Sequence, residues 1–240
     1  MITKIEGIII HETPFKETSK ILKVITKEYG VITLLAKGAK RLKSNLRSTT
    51  TLIHANFNII YKKDKLSILT EVNPINNFKN IKKDIKKISY TSYILELTEQ
   101  TLKQNNDKNI YNLLVSALNK IEENYNEQII TNIIELKYLY YLGVMPVLDS
   151  CVGCQSKTIA TLSPHQGGYV CRNCMTNDKI VNEKTIKLIR LLYYVDINKI
   201  SKIEVNNNII EEINDFIKTY YEIHTGLYLK SKQIIKQLYE

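Results

Sequence analysis

Over the first 75 residues, apolar positions come in short runs and partial alternations. Residues 2–11 are β-rich and partly alternating, and residues 21–26 (Ile-Leu-Lys-Val-Ile-Thr) form the next candidate strand. A turn at Glu28-Tyr29-Gly30 leads into residues 31–36. Further on, residues 56–61 and 66–72 flank the polar Lys62-Lys63-Asp64-Lys65. Five short strands with closely spaced turn signals predict a small closed or nearly closed barrel. Gly30 and Gly38 punctuate it as a turn or bulge would. The Asn73-Pro74 step is expected to end the β section, because proline biases its neighbour's backbone and withholds an N–H.

From about residue 80 the period changes to that of helices. Ile81, Ile85, Ile88, Leu95 and Leu102 fall near one helical face. Ile110, Leu113, Leu114, Ala117, Leu118 and Ile121 follow an i, i+3, i+4, i+7 series. Ile129, Ile130, Ile133, Ile134, Leu136, Tyr140 and Tyr141 make a third apolar helix, which Gly143 and Pro146 terminate. Two more helices are expected, at residues 185–194 and around Ile209, Ile213, Phe216, Ile217 and Tyr220, the latter capped within Asn206-Asn207-Asn208. A tail helix covers residues 231–238. The expected fold class is therefore α+β: a barrel over residues 1–79, then a helical domain over 80–240. The boundary is a switch of period and not a flexible tether.

Composition sets limits on this picture. The 240 residues are 44% hydrophobic and 24% charged, ordinary for a soluble globular chain and unlike a disordered one. No run approaches the roughly 20 apolar residues that span a bilayer. Met1-Ile2-Thr3-Lys4-Ile5-Glu6-Gly7 does not read as a signal peptide, so a cytoplasmic location without membrane contact is expected.

The formal net charge is +10. Only four of the basic residues are Arg (41, 47, 172 and 190), and Lys enrichment can be compositional, so the distribution matters more than the total. Residues 1–80 hold 14 basic and 6 acidic side chains, whereas residues 81–240 hold 20 and 18. The densest piece, Lys37-Gly38-Ala39-Lys40-Arg41-Leu42-Lys43-Ser44-Asn45-Leu46-Arg47, carries five cations and no acid. Such a segment is either a solvated loop or a polyanion site, where each phosphate neutralised releases counterions. Lys82, Lys83, Lys86 and Lys87 have the spacing of a solvated helix face.

All four cysteines lie in one C-x2-C-x16-C-x2-C window: Cys151, Cys154, Cys171 and Cys174. Two short knuckles can each present two thiolates to one ion. Zinc is the expected metal, with iron the alternative that spacing does not exclude. A thioredoxin-like pair would need a βαβ unit that is missing here. Four thiolates leave no open coordination position, so the Zn2+ is expected to be structural. His165, between the pairs, reads as an exposed loop residue, and Gly167-Gly168 as the turn that brings the pairs together.

Catalytic patterns are missing from the chain. It has no Gly-x-x-x-x-Gly-Lys-Ser/Thr, His-Glu-x-x-His or Gly-x-Ser-x-Gly. His11, His54, His165 and His224 stand far apart and read as surface or half-buried residues. An enzyme is not expected.

Several segments together carry a family resemblance. Gly7-Ile8-Ile9-Ile10, Glu17-Thr18-Ser19-Lys20-Ile21-Leu22, Thr26-Lys27-Glu28-Tyr29-Gly30 and Ala36-Lys37-Gly38-Ala39-Lys40-Arg41 resemble the opening of the bacterial recombination mediator family RecO. Tyr220-Tyr221-Glu222-Ile223-His224-Thr225-Gly226-Leu227 and Lys230-Ser231 look like its closing motif, and the cysteine module is similar to its zinc-bearing members. The resemblance spans nearly the whole chain. It implies an oligonucleotide-binding (OB) barrel, a helical domain and an inserted zinc module at about residues 147–180. It also implies binding of single- and double-stranded DNA, annealing of complementary strands, and work with RecR to load RecA onto DNA coated by single-strand-binding protein, whose tail is contacted. The expected setting is the bacterial nucleoid. Lys37, Lys40, Arg41, Lys43 and Arg47 fall on the family's basic segment, and DNA binding is carried to them. Some members lack the four cysteines, which favours a structural metal.

Physical reasoning runs beside the resemblance. Cations can track phosphates while rings stack on bases; Phe15, Tyr29, Phe57 and Tyr61 are the nearby rings, each read as either core packing or stacking. Annealing needs no catalytic group. The rival readings are an RNA-binding barrel with a zinc knuckle, which has the same electrostatics, and a small-molecule enzyme with a structural zinc.

Overall fold

A computed structural model describes residues 2–63 and 65–239; Asp64 lies outside them. Strands β1 (Ile2–Phe15), β2 (Ser19–Thr26), β3 (Gly30–Ala36), β4 (His54–Ile60) and β5 (Ser67–Asn76) close into a barrel in the order β1-β2-β3-β5-β4. Neighbours are antiparallel except β3 and β5, which run parallel with Leu34 opposite Ser67. Alternate residues fill the interior, among them Leu22 and Val24 of β2 and Ala55, Phe57 and Ile59 of β4. This is the five-stranded OB-type barrel expected.

Its strands outrun the hydrophobic pattern at two places. β1 continues to Phe15, and β5 passes through Pro74 to Asn76 instead of stopping at Asn73. The pairing of β3 with β5 ends at Ala36–Leu69, so beyond it β5 has only β4 beside it. Proline is tolerated on such an edge, and a register shift beside its partner Ala55 absorbs the irregularity.

The run Gly7-Ile8-Ile9-Ile10 is apolar at consecutive positions because β1 is covered on both faces. Ile9 points into the barrel core, whereas Ile8 joins Ile25 and Leu52 in the core of the helical domain. At Gly7 a Cβ would stand 2.7 Å from Ile25 O, so β1 and β2 meet too closely for a side chain. Polar ties reinforce the seam. The Glu6 carboxylate lies 2.8 Å from His54 Nε2 and accepts from Tyr111 OH at 3.3 Å, while Lys23 pairs with Glu99 at 2.6 Å. His54 is thus a buried, partnered residue of the seam and not a surface one.

Helices α1 (Lys79–Lys82), α2 (Ile85–Gln104), α3 (Lys108–Glu122), α4 (Glu127–Tyr141), α5 (Glu183–Tyr194), α6 (Asn207–His224) and α7 (Lys230–Tyr239) follow. Side chains of Asp84, Asp107, Asn126, Asn182 and Asn206 accept hydrogen bonds from the first-turn N–H groups of α2 to α6. The Asp84 cap splits the first expected helix. Ile81 is buried on α1 and Leu95 and Leu102 on α2, as expected, whereas Ile85 opens α2 at 72% exposure and Ile88 is also exposed; the buried face of α2 includes Tyr90, Tyr93, Ile94, Leu97, Thr98 and Thr101 as well. α4 ends as expected at Gly143, whose φ of 74° is the left-handed turn glycine accepts.

Glu135 of α4 is buried within the helical layer. Its Oε1 accepts from Tyr93 OH at 2.5 Å and from Lys232 Nζ of α7 at 2.8 Å, and its main-chain oxygen accepts from Tyr221 OH at 2.7 Å. Burial, with Glu135 beside them, pushes the Tyr93 and Tyr221 hydroxyls well above their ordinary range, so they act as donors. Glu96 accepts from the N–H groups of Lys230 and Ser231 and so caps α7 from α2.

Between α4 and α5 the chain forms a small module with a hairpin that the sequence pattern did not reveal, β6 (Thr161–Ser163) and β7 (Gly168–Val170). Gly168 has φ +153°, and a Cβ there would lie 2.2 Å from Val147 O. Tyr169 N–H donates to that same oxygen at 2.9 Å, so the two backbones are locked together.

Two substitutions test this packing. Lys232→Ala leaves Glu135 a buried carboxylate with one donor fewer, and should lower stability to urea by about 1–3 kcal/mol. Adding Glu135→Gln should recover part of that loss, because no unpaired charge remains. Gly168→Ala forces Val147 away and should cost about 3 kcal/mol. In a melting experiment that is a drop of roughly 6–12 °C for a chain of this size.

Candidate nucleic-acid surface and metal centre

The basic segment forms the connection between β3 and β4. A series of tight turns pins its backbone. Lys40 N–H donates to Thr18 O at 2.9 Å, Arg41 N–H to Gly38 O at 3.0 Å, and Ser44 and Arg47 N–H to Arg41 O and Ser44 O at 3.1 Å each. Gly38 takes φ +69° at the first turn. Ala39, Leu46 and Ile53 are buried against the barrel core. The apolar residues of the segment are thus its anchors.

Lys37, Lys40, Arg41, Lys43 and Arg47 are all exposed. Among the described residues none of the five forms an ion pair, whereas Lys20 and Lys23 of the adjoining strand are neutralised by Glu12 and Glu99. Five cations on a hydrogen-bonded backbone, none of them ion-paired among the described residues, give a local positive field. The structure adds a sixth that the sequence reading missed. Lys16 sits at φ +53° in the β1–β2 turn, exposed, two residues from the Thr18 carbonyl that Lys40 binds. Only that through-space hydrogen bond reveals its proximity.

The four candidate rings separate. Phe57 is fully buried in the barrel and presents no face to a ligand. Tyr29 and Tyr61 stack on each other, centroids 4.2 Å apart, at the β2–β3 turn, the opposite end of β2 from Lys40. Phe15 is half-buried, with Lys16 Nζ 5.6 Å from its ring centre. Among the Lys82–Lys87 cluster, Lys86 is taken up by Glu127 at 2.7 Å.

The four cysteines converge. Their Sγ atoms all lie within 4.8 Å of one another, and Cys154 and Cys171 Sγ are 3.5 Å apart. Four thiolates placed tetrahedrally at about 2.3 Å from one zinc would be about 3.8 Å apart, so the spacing suits such an ion. Cys151 and Cys171 are buried, Cys154 is exposed and Cys174 is half-buried. The Cys171 N–H donates to Cys151 Sγ at 3.4 Å and, with further knuckle N–H groups, draws that thiol down to about 6. Hydrogen bonds and charge from the neighbouring sulfurs push Cys174 up to about 12. Backbone dipoles therefore favour negative sulfur while the sulfurs oppose each other's ionisation, and a cation is what reconciles the two. His165 is exposed and outside the cluster, as expected.

The module is tied down beside the cluster. Asp149 accepts from Arg190 Nη2 at 2.7 Å and from Tyr194 OH at 2.6 Å, and these bonds hold its carboxyl below the ordinary range. Tyr169 OH donates to Ile186 O, also on α5. Among the described residues no helix is long and apolar enough to cross a membrane.

Comparison with known proteins covers nearly the whole chain. The family model for the recombination protein O N terminal matches residues 1–78, and that for the recombination protein O C terminal matches residues 82–233. A DNA repair protein RecO of Listeria monocytogenes serotype 4b (strain CLIP80459) is 32% identical over 240 residues, covering 98% of this chain and 94% of the relative. The one from Halalkalibacterium halodurans is 32% identical, covering 99% and 96%. That of Bacillus cytotoxicus is 31% identical, covering 99% and 98%. Matches to both halves, joined by an OB-type barrel and a helical domain with a four-cysteine cluster, place the chain in the RecO family of DNA repair and recombination proteins.

Proposed function

We propose that this chain binds single- and double-stranded DNA through its barrel, anneals complementary strands and, with RecR, helps load RecA onto DNA coated by single-strand-binding protein. The observation that carries this reading is the pinned β3–β4 connection, whose five cations are exposed and, among the described residues, form no ion pair. Lys37, Lys40, Arg41, Lys43 and Arg47 hold phosphates, and counterion release supplies the affinity. Two strands brought to one cationic surface are screened from each other while their bases find register. No nucleotide cofactor and no catalytic side chain is needed, so the protein acts as a mediator and not as an enzyme. Residues 1–79 form the nucleic-acid-binding domain. Residues 80–240, nearly neutral, are left for the protein partners, including the tail of the single-strand-binding protein. The site of action is the bacterial cytoplasm, at the nucleoid. Membership of a DNA repair family favours this reading over an RNA-binding one.

Cys151, Cys154, Cys171 and Cys174 hold one Zn2+, which supplies charge neutralisation and cross-linking energy to the module at about residues 147–180. All four positions are filled by sulfur, so the ion is structural.

Two experiments test the proposal. Changing Lys37, Lys40 and Arg41 together to Ala should weaken single-strand binding and lower the slope of log affinity against log salt by about 2. It should also slow annealing of strands coated with single-strand-binding protein. An unchanged slope places the binding surface elsewhere. Metal analysis should find one zinc per chain, and Cys154→Ser should lower zinc content and melting temperature while barrel binding of DNA persists. Iron with a visible absorption band would overturn the zinc assignment.

A further inference from the structure

The basic connection contains one residue that phosphate binding does not explain. Leu42 is 81% exposed, the highest value among the described large hydrophobic side chains of the molecule. A lone exposed leucine is ordinary on a protein surface. Its setting here is not. Lys40 and Arg41 precede it and Lys43 follows it, all exposed and unpaired among the described residues. The backbone on either side is fixed: Arg41 N–H bonds Gly38 O at 3.0 Å, and Ser44 N–H bonds Arg41 O at 3.1 Å, closing a turn around Leu42. Ala39 and Leu46, at 1% and 7% exposure, anchor the two ends in the barrel. The apolar side chains before and after Leu42 turn inward, and Leu42 alone is held out among the charges.

Cations at these positions meet phosphates. An isobutyl group gains nothing beside a phosphate, and the apolar surface a nucleic acid offers is the face of its bases. We propose that Leu42 is a base-contacting wedge, seated against or between nucleobases of the strand whose phosphates Lys40, Arg41 and Lys43 hold. This rests on the DNA-binding reading above and adds to it a contact with bases. An inserted apolar side chain partly unstacks a base step, and the surrounding backbone contacts offset that cost. Unstacking costs less in a single strand than inside a duplex. The wedge therefore favours single strands and duplex ends over uninterrupted duplex, and it holds bases apart from their own neighbours, ready to meet a complement.

The chain contains no tryptophan, so Leu42→Trp introduces a single indole whose emission reports this position alone. The variant is titrated with a single-stranded oligonucleotide and with an abasic strand of equal length, which has the phosphates without the bases. Binding is followed separately by anisotropy of end-labelled strands. The expected result is quenching by the strand with bases and none by the abasic strand, although both bind. In parallel, Leu42→Ser should weaken binding of the strand with bases by about three- to tenfold, leave the abasic strand unaffected and keep the salt slope, because every cation remains. No quenching by the strand with bases, or equal weakening toward both strands, overturns the wedge while the phosphate contacts stand. If the Lys37, Lys40 and Arg41 triple alanine variant binds both strands as the parent does, the loop is not the DNA surface, and both readings fall together.

Discussion

From Gly7 to Ile9, β1 is buried on both faces, and the other elements are arranged around that constraint. A strand of a small barrel ordinarily shows one face to the interior and the other to water. Here Ile5 and Ile9 fill the barrel, while Ile8, one residue away, is fully buried in the helical core. The opposite side of the seam is set by Ile25 and by Gly7, which lets β2 approach. Barrel and helices consequently share apolar surface and do not hang from a linker. Polar contacts across the seam, Tyr111 OH to Glu6 and Lys23 with Glu99, add orientation to an attachment that hydrophobic burial supplies.

That attachment decides which barrel surface is free. The face carrying Ile8 and Ile25 is taken by the helices, and Lys23 at its edge is neutralised by Glu99 of α2. The β3–β4 connection is not drawn into the seam except near Leu52, and its cations have no ion-pair partner among the described residues. The charge imbalance of the first 80 residues is thereby concentrated on one rigid loop, with Lys16 from the β1–β2 turn beside it. Net charge alone does not single out this surface; its backbone is held by hydrogen bonds, and among the described residues none of its five cations forms an ion pair.

The cysteine module follows a related logic in reverse. There the backbone gathers like charges instead of separating them. N–H groups of the knuckles favour thiolate at Cys151, and the crowded sulfurs resist further ionisation at Cys174, so the geometry suits a bound cation. The contact of Gly168 with Val147 and the Asp149–Arg190 pair hold the module against α5, far in sequence from the basic loop.

Much of this architecture is legible in local sequence patterns. Period-two alternation and turn residues located five strands, the i, i+3, i+4 series located the helices, and the C-x2-C spacing located the four thiols, because each is a property of neighbouring residues. The breaks in the first helix and in the β section were misjudged for a physical reason. Asp84 caps α2 only because its side chain reaches two N–H groups in three dimensions, and Pro74 is tolerated in β5 only because β3 has already turned away. Which face a side chain takes was likewise decided by tertiary structure. Phe57, a candidate for stacking on bases, is interior; Tyr29 and Tyr61 face each other; Lys16 joins the basic loop through Thr18. The sequence by itself determined which elements form and where charge and sulfur concentrate. Only the fold decided which of those charges are left unpaired and which surfaces are covered, since pairing and burial depend on residues that chain order keeps apart.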